Sequence, residues 1–148
     1  DGTVSQISEV NGPIEMGLEN KKFTRVSIFM NVFNCHVNRV PCTGNVSKII
    51  YKPGKNINAS FDKASDENER NYVQFKSVNN DDLVLVQIAG LIARRIVCEV
   101  EESEDIKQGG KFGIIRFGSR VDLYFENYKL LAKINQKTIA GESLIAKK

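Results

Sequence analysis

The chain has no tryptophan, one histidine, three prolines and three cysteines in 148 residues. An odd number of cysteines with no Cys-x-x-Cys pair argues against a disulfide framework and for reduced thiols. Cys35, His36 and Cys42 are close enough in sequence to be weighed as a zinc site. Recognisable sites carry tighter pairs and a fourth ligand, so no metal is expected, and Cys35 and Cys42 are read as small buried hydrophobes. No apolar run exceeds a few residues (Leu83-Val84-Leu85-Val86 is typical), far short of the ~18 to 20 that a spanning helix needs. A signal peptide pattern is also missing. The sequence opens on Asp1, so an apolar anchor, if there is one, is expected upstream of it. Neither sign of charge dominates: 21 basic against 18 acidic residues leave a net +3. That bias is too weak to argue for nucleic acid, yet it suits an anionic surface.

What is present fits one soluble domain over residues 1–148, with 41% apolar and 26% charged residues. The periodicity is that of strands. Val26, Ile28 and Met30 alternate with Arg25, Ser27 and Phe29, and Val121, Leu123 and Phe125 alternate with Arg120, Asp122 and Tyr124. Leu83 to Ile88 and Ile96 to Val100 are short apolar runs. Residues 59–71 are polar and charged and predict a long loop with a helical turn; Gly90 to Arg95 predicts a turn or bend. Turn residues punctuate the rest at Gly12-Pro13, Pro53-Gly54, Asn79-Asn80, Gly109-Gly110 and Gly141. Many short strands with little helix predict an all-β fold, an antiparallel barrel or sandwich. Ile106 to Gly109 and Ile134 to Glu142 each look like a tight turn leading into a strand. This is similar to the barrel-sandwich hybrid of biotinyl and lipoyl domains, a likeness of fold that carries no function.

Few residues offer chemistry. Gly118-Ser119 lies between strand-like runs at Phe112 to Phe117 and Val121 to Phe125, where a Gly-Ser pair is most often just a turn. The sharper reading is a serine hydroxyl held against the preceding carbonyl, with a glycine before it that has no Cβ to obstruct attack. His36 is the only side chain with an ordinary pKa near neutrality, so acid–base work at pH 7 draws on it first. Arg94-Arg95 matches phosphate but equally reads as a solvated pair. Asp62-Lys63-Ala64 imitates a lipoylation hairpin, yet sits in the charged loop rather than in the barrel-like part.

The fragments become specific in order: Asp1-Gly2, Asn34-Cys35-His36-Val37-Asn38-Arg39-Val40-Pro41, Asn68-Glu69-Arg70 and Phe117-Gly118-Ser119-Arg120-Val121-Asp122. With Gln87 to Ile96 and Gly113 to Arg116, they resemble phosphatidylserine decarboxylases of the short type over nearly the whole chain. The resemblance implies a proenzyme that cuts itself between Gly118 and Ser119, giving chains 1–118 and 119–148 that stay associated. Ser119 would become a covalent pyruvoyl cofactor that holds the amine of phosphatidylserine as a Schiff base during decarboxylation, with no metal.

The same resemblance assigns Ser119, His36 and Asp1 to the chemistry, with Asp1 orienting His36. Arg39 stands where longer members have a second histidine and is expected to meet the substrate's phosphate or carboxylate. Of the family's Ser-Pro-Ala-Asp-Gly motif only Asp1-Gly2 is present. Expected partners are phosphatidylserine, the cytoplasmic side of the cell membrane and the chain's own fragments, with room for a homodimer. The alternatives are an archaetidylserine decarboxylase, identical in head-group chemistry, and a non-enzymatic biotinyl- or lipoyl-like module.

Overall fold

The computed structural model describes residues 1–55, 57–62, 64–92 and 95–148, Ser65 by its backbone alone. Strands run as β1 (Gly2–Asn11), β2 (Lys22–Met30), β3 (Val37–Arg39), β4 (Gly44–Lys52), β5 (Arg70–Ser77), β6 (Asp82–Ile88) and β7 (Ile96–Cys98). They continue as β8 (Asp105–Ile106), β9 (Lys111–Ile115), β10 (Ser119–Phe125), β11 (Lys129–Leu130), β12 (Lys137–Thr138) and β13 (Ala146–Lys147). A 3-10 turn at Ile14–Met16 and a one-turn helix, α1 (Ala64–Glu67), complete the elements. The helix falls inside the charged stretch where the sequence predicts one turn.

Eight strands form one antiparallel sheet in the order β12-β1-β2-β10-β6-β5-β4-β8, and β3-β9-β7 form a second, smaller one. The long sheet curls around an inner stripe of Val26, Met30, Val73, Phe75, Leu83, Leu85, Leu123 and Phe125. The fold is therefore all-β and barrel-like, as the alternation in β2 and β10 predicts. The outer face of the central strands is covered as well, by Met16, Phe23, Tyr72 and Tyr124. This second cover explains why β6 and β10 are buried along their whole length and why Leu83 to Ile88 reads as a continuous apolar run.

One polar thread crosses the interior. Gln87, fully buried, donates through Nε2 to Asn38 Oδ1 at 3.0 Å, and its Oε1 accepts from Asn71 Nδ2 at 3.2 Å. The thread ties β3 of the small sheet to β5 and β6 of the large one. Gln87→Ala strands amide groups of both asparagines, so it is expected to cost about 2 kcal/mol. A lower urea midpoint would show it; an unchanged midpoint would mean that water replaces the amide.

Two expectations change. Cys35 is exposed rather than buried, because it lies on the 31–36 loop outside the sheet, whereas Cys42 and Cys98 are half-buried and pack against the core. The strand predicted over Phe112 to Phe117 stops at Ile115, because the chain must leave the small sheet there to enter the large one.

Candidate active site

The sheet change takes three residues. β9 belongs to the small sheet and β10 to the large one, and Arg116, Phe117 and Gly118 join them. Phe117 and Gly118 are both left-handed, with φ of 53° and 61°. Glycine takes that conformation freely; for a bulky residue such as phenylalanine it is strained. Apart from its chain neighbours, a Cβ at Gly118 would meet nothing within 4 Å. The left-handed turn itself calls for a glycine at this position.

Ser119 opens β10 opposite Met30 and is fully buried. Its hydroxyl lies 3.0 Å from Nδ1 of His36, 83 residues away in sequence. His36 reaches it from the loop between β2 and β3. Two asparagines shape that loop: Asn34 Oδ1 accepts the Asn31 N–H and Asn31 Oδ1 accepts the Phe33 N–H, both at 2.9 Å. The Asn31 carbonyl oxygen then meets His36 Nε2 at 2.8 Å.

A carbonyl can only accept, so Nε2 carries the proton in the neutral ring and Nδ1 presents a lone pair to the Ser119 hydroxyl. Burial pushes the imidazole below its ordinary 6.5, against the Asn31 hydrogen bond, which acts in the other direction. At neutral pH the ring is thus unprotonated on the side that faces Ser119. Phe117 packs edge-on to it, with ring centroids 6.1 Å apart.

Asp1 stands nearby in another role than the sequence predicts. Its nitrogen donates to the Cys35 carbonyl at 3.0 Å, and its carboxylate accepts the Ala140 N–H at 2.9 Å. It ties the histidine loop to the segment after β12, while the Asn31 carbonyl takes the orienting position on the ring. Arg39 is exposed on β3 and lines a cleft of about 210 Å³ with Asp1, Met30, Val121, Leu123 and Phe125. The cleft opens on the face of β10 that Ser119 shares with Val121 and Leu123. Arg95 is exposed, whereas Lys63 and Arg94 lie outside the described residues. Among the described residues no group of three or more His, Cys, Asp or Glu side chains could hold a metal ion.

The site thus sets a strained Phe117 backbone beside a buried serine and a neutral imidazole, and comparison with known proteins gives its family. The family model for phosphatidylserine decarboxylase matches residues 1–146. The chain belongs to the phosphatidylserine decarboxylase family. It is 61% identical over 148 residues to the phosphatidylserine decarboxylase proenzyme of Pelagibacter ubique (strain HTCC1062), covering all of this chain and 69% of that protein. It is 50% identical over 147 residues to the proenzymes of the same name from Rickettsia bellii (strain OSU 85-389) and Rickettsia prowazekii (strain Madrid E). In these two it covers 64% of the relative's length.

Within this phosphatidylserine decarboxylase fold, sequence reasoning missed Asn31, whose carbonyl sets the tautomer through backbone geometry alone. Asn68 entered only as part of the family pattern, without its contact: it is buried and donates to the Ala89 carbonyl at 2.7 Å. A buried asparagine between charged residues leaves only a weak trace in one sequence.

Proposed function

We propose that this chain matures by cutting itself before Ser119 and then decarboxylates phosphatidylserine to phosphatidylethanolamine. The observation that carries the reading is the 3.0 Å contact between the Ser119 hydroxyl and an imidazole nitrogen whose tautomer the Asn31 carbonyl fixes. His36 Nδ1 takes the hydroxyl proton as Oγ bonds to the Gly118 carbonyl carbon. The bond from that carbon to the Ser119 nitrogen breaks, the nitrogen takes a proton, and an ester replaces the amide. Departure from the left-handed turn relieves the Phe117 backbone.

Loss of the Ser119 α-proton then breaks the Cβ–Oγ bond. Gly118 leaves as a carboxylate and residue 119 becomes a dehydroalanine. Its imine tautomer adds water and loses ammonia, which makes residue 119 a pyruvoyl group. The surroundings fit that group: position 119 is fully buried, held by strand pairing to Met30, and shares a face with the apolar cleft. When formed, a pyruvoyl supplies an electron sink for decarboxylation. Arg39, at the rim, offers a guanidinium to the phosphate or carboxylate of the head group, and Asp1 keeps the histidine loop in place.

The same reading extends to a location at the membrane surface. The loops around Ser119 present apolar side chains outward: Phe33 is 93% exposed, and Phe61, Leu91, Ile92 and Phe117 are each more than half exposed. Exposed Arg95 and Arg116 flank them, a combination that favours an anionic bilayer. Among the described residues no helix is long and apolar enough to cross a membrane; the exposed apolar rim is the contact proposed for the bilayer.

The test is intact-mass analysis of the purified chain, followed by incubation with vesicles of carboxyl-labelled phosphatidylserine. Two fragments divided between Gly118 and Ser119, a blocked end on the smaller and release of labelled carbon dioxide are expected. An uncut chain that releases none would sink the proposal. For the rim, Phe33→Ser with Ile92→Ser should weaken sedimentation with anionic vesicles at least tenfold without slowing cleavage; unchanged sedimentation would remove it as the contact.

A further inference from the structure

Gly90 lies 29 residues before the reactive serine, carries no side chain and follows the most deeply buried strand of the sheet. Its neighbour in space is the scissile carbonyl. A Cβ at position 90 would overlap the Gly118 carbonyl oxygen, stand 2.8 Å from the Gly118 carbonyl carbon and come within 3.3 Å of Ala59 Cβ. The hydrogen occupying that direction in glycine therefore points at the oxygen that must take up negative charge when Ser119 attacks.

The backbone leading to Gly90 is firmly held. The Ala89 N–H donates to the Glu69 carbonyl at 2.9 Å, and the Ala89 carbonyl accepts from buried Asn68 Nδ2 at 2.7 Å. From the other side Arg120, paired with Asp122 at 2.8 Å and 3.0 Å, donates to the Phe61 carbonyl at 3.0 Å and the Ala59 carbonyl at 3.4 Å. Arg120 is next to Ser119 in the chain. The strand that bears the nucleophile thus clamps the loop that backs Gly90.

We infer that Gly90 is a positioning residue for self-cleavage: it seats the Gly118 carbonyl so that its carbon faces the Ser119 hydroxyl while His36 takes the proton. The inference rests on the self-cleavage reading above and adds a group outside the residues that touch the moving proton. A seated carbonyl keeps the attack distance short, and a displacement of about 1 Å can slow such a step about 100-fold. A methyl at position 90 has no room unless the carbonyl moves away. The Cα–H contact itself is weak; the effect lies in geometry.

The experiment compares Gly90→Ala with Gly44→Ala. Gly44 lies at the far edge of the sheet, between β5 and β8, and a Cβ there would overlap the Lys76 carbonyl oxygen and stand 2.8 Å from its carbon. The two substitutions carry similar crowding, but only one touches the scissile peptide. Cleavage is followed by intact mass, the ester by fragments released with hydroxylamine, and folding by thermal melting of the Ser119→Ala forms. Gly90→Ala is expected to cut at least about 100-fold more slowly and to yield no hydroxylamine fragment, while Gly44→Ala at a comparable melting temperature cuts within a few fold of wild type. Wild-type cleavage in Gly90→Ala, or equal slowing by both variants at matched melting temperature, would overturn the inference. Should Gly90→Ala not melt cooperatively, Leu91→Gly decides, since that exposed substitution frees the Gly90 backbone without removing packing. A several-fold slowing supports the seat, and an unchanged rate removes it. Cleavage in wild type with fast cleavage in the variants defeats this inference alone; an uncut wild type defeats it together with the reading on which it rests.

Discussion

Replacing Ser119 by alanine is expected to leave the chain in one piece of 148 residues and to abolish carbon dioxide release from phosphatidylserine. On the proposed mechanism, alanine removes the Oγ that attacks Gly118 and with it the source of the pyruvoyl group, so cofactor and activity should vanish together. The fold should survive. Ser119 is fully buried, but its backbone pairs with Met30 through the strand, and the hydroxyl lost is the one that bonds His36. Intact mass reads the cleavage, labelled carbon dioxide the activity, and thermal melting the fold. Normal cutting of this variant between residues 118 and 119 would assign the break to a contaminating protease. A variant that stays uncut yet decarboxylates would remove the pyruvoyl from the chemistry.

His36→Ala is expected to slow cleavage by about 10²- to 10⁴-fold, the usual contribution of a positioned base. Added imidazole should recover part of that loss by entering the space the ring leaves. The wild-type pH profile gives an independent readout. The neutral ring accepts the serine proton and the imidazolium cannot, so the rate should fall as pH drops through the His36 pKa and level off above it. Burial holds that pKa below the ordinary 6.5, which places the fall on the acid side of 6.5 and the plateau at neutral pH. A fall centred well above 6.5, or an unchanged rate in His36→Ala, would show that another group activates Ser119. Asn31 cannot be tested by removing its side chain alone, because its carbonyl belongs to the backbone. Asn34→Ala is the accessible route: it loosens the loop through the lost bond to the Asn31 N–H and should reduce the rate less than loss of the ring.

The sequence by itself determined the class of fold and singled out the serine proposed as nucleophile. Alternation in Val26 to Met30 and Val121 to Phe125 marks strands with one face inward, and the short apolar run from Leu83 marks a strand covered on both faces. The family pattern around Gly118-Ser119 and the lone His36 picked out the pair that the structure brings within 3.0 Å. Other strands were not legible. β1 and β4 shift register between Val4 and Gln6 and between Val46 and Lys48, and each bulge breaks the two-residue period that reveals a strand.

The tertiary structure alone decided how the site is held. Whether Asp1 or a carbonyl orients His36 depends on the path of the 31–36 loop, which asparagine side chains fold back on itself. No spacing in the chain encodes it. The use of Gly90 is equally hidden, because a glycine after a strand reads as a turn. Only when β6 and β10 pair side by side does the Gly118 carbonyl come to rest where a side chain of residue 90 would otherwise begin. Periodicity records which face of a strand is buried; the approach of two backbones from distant parts of the chain leaves no period to read.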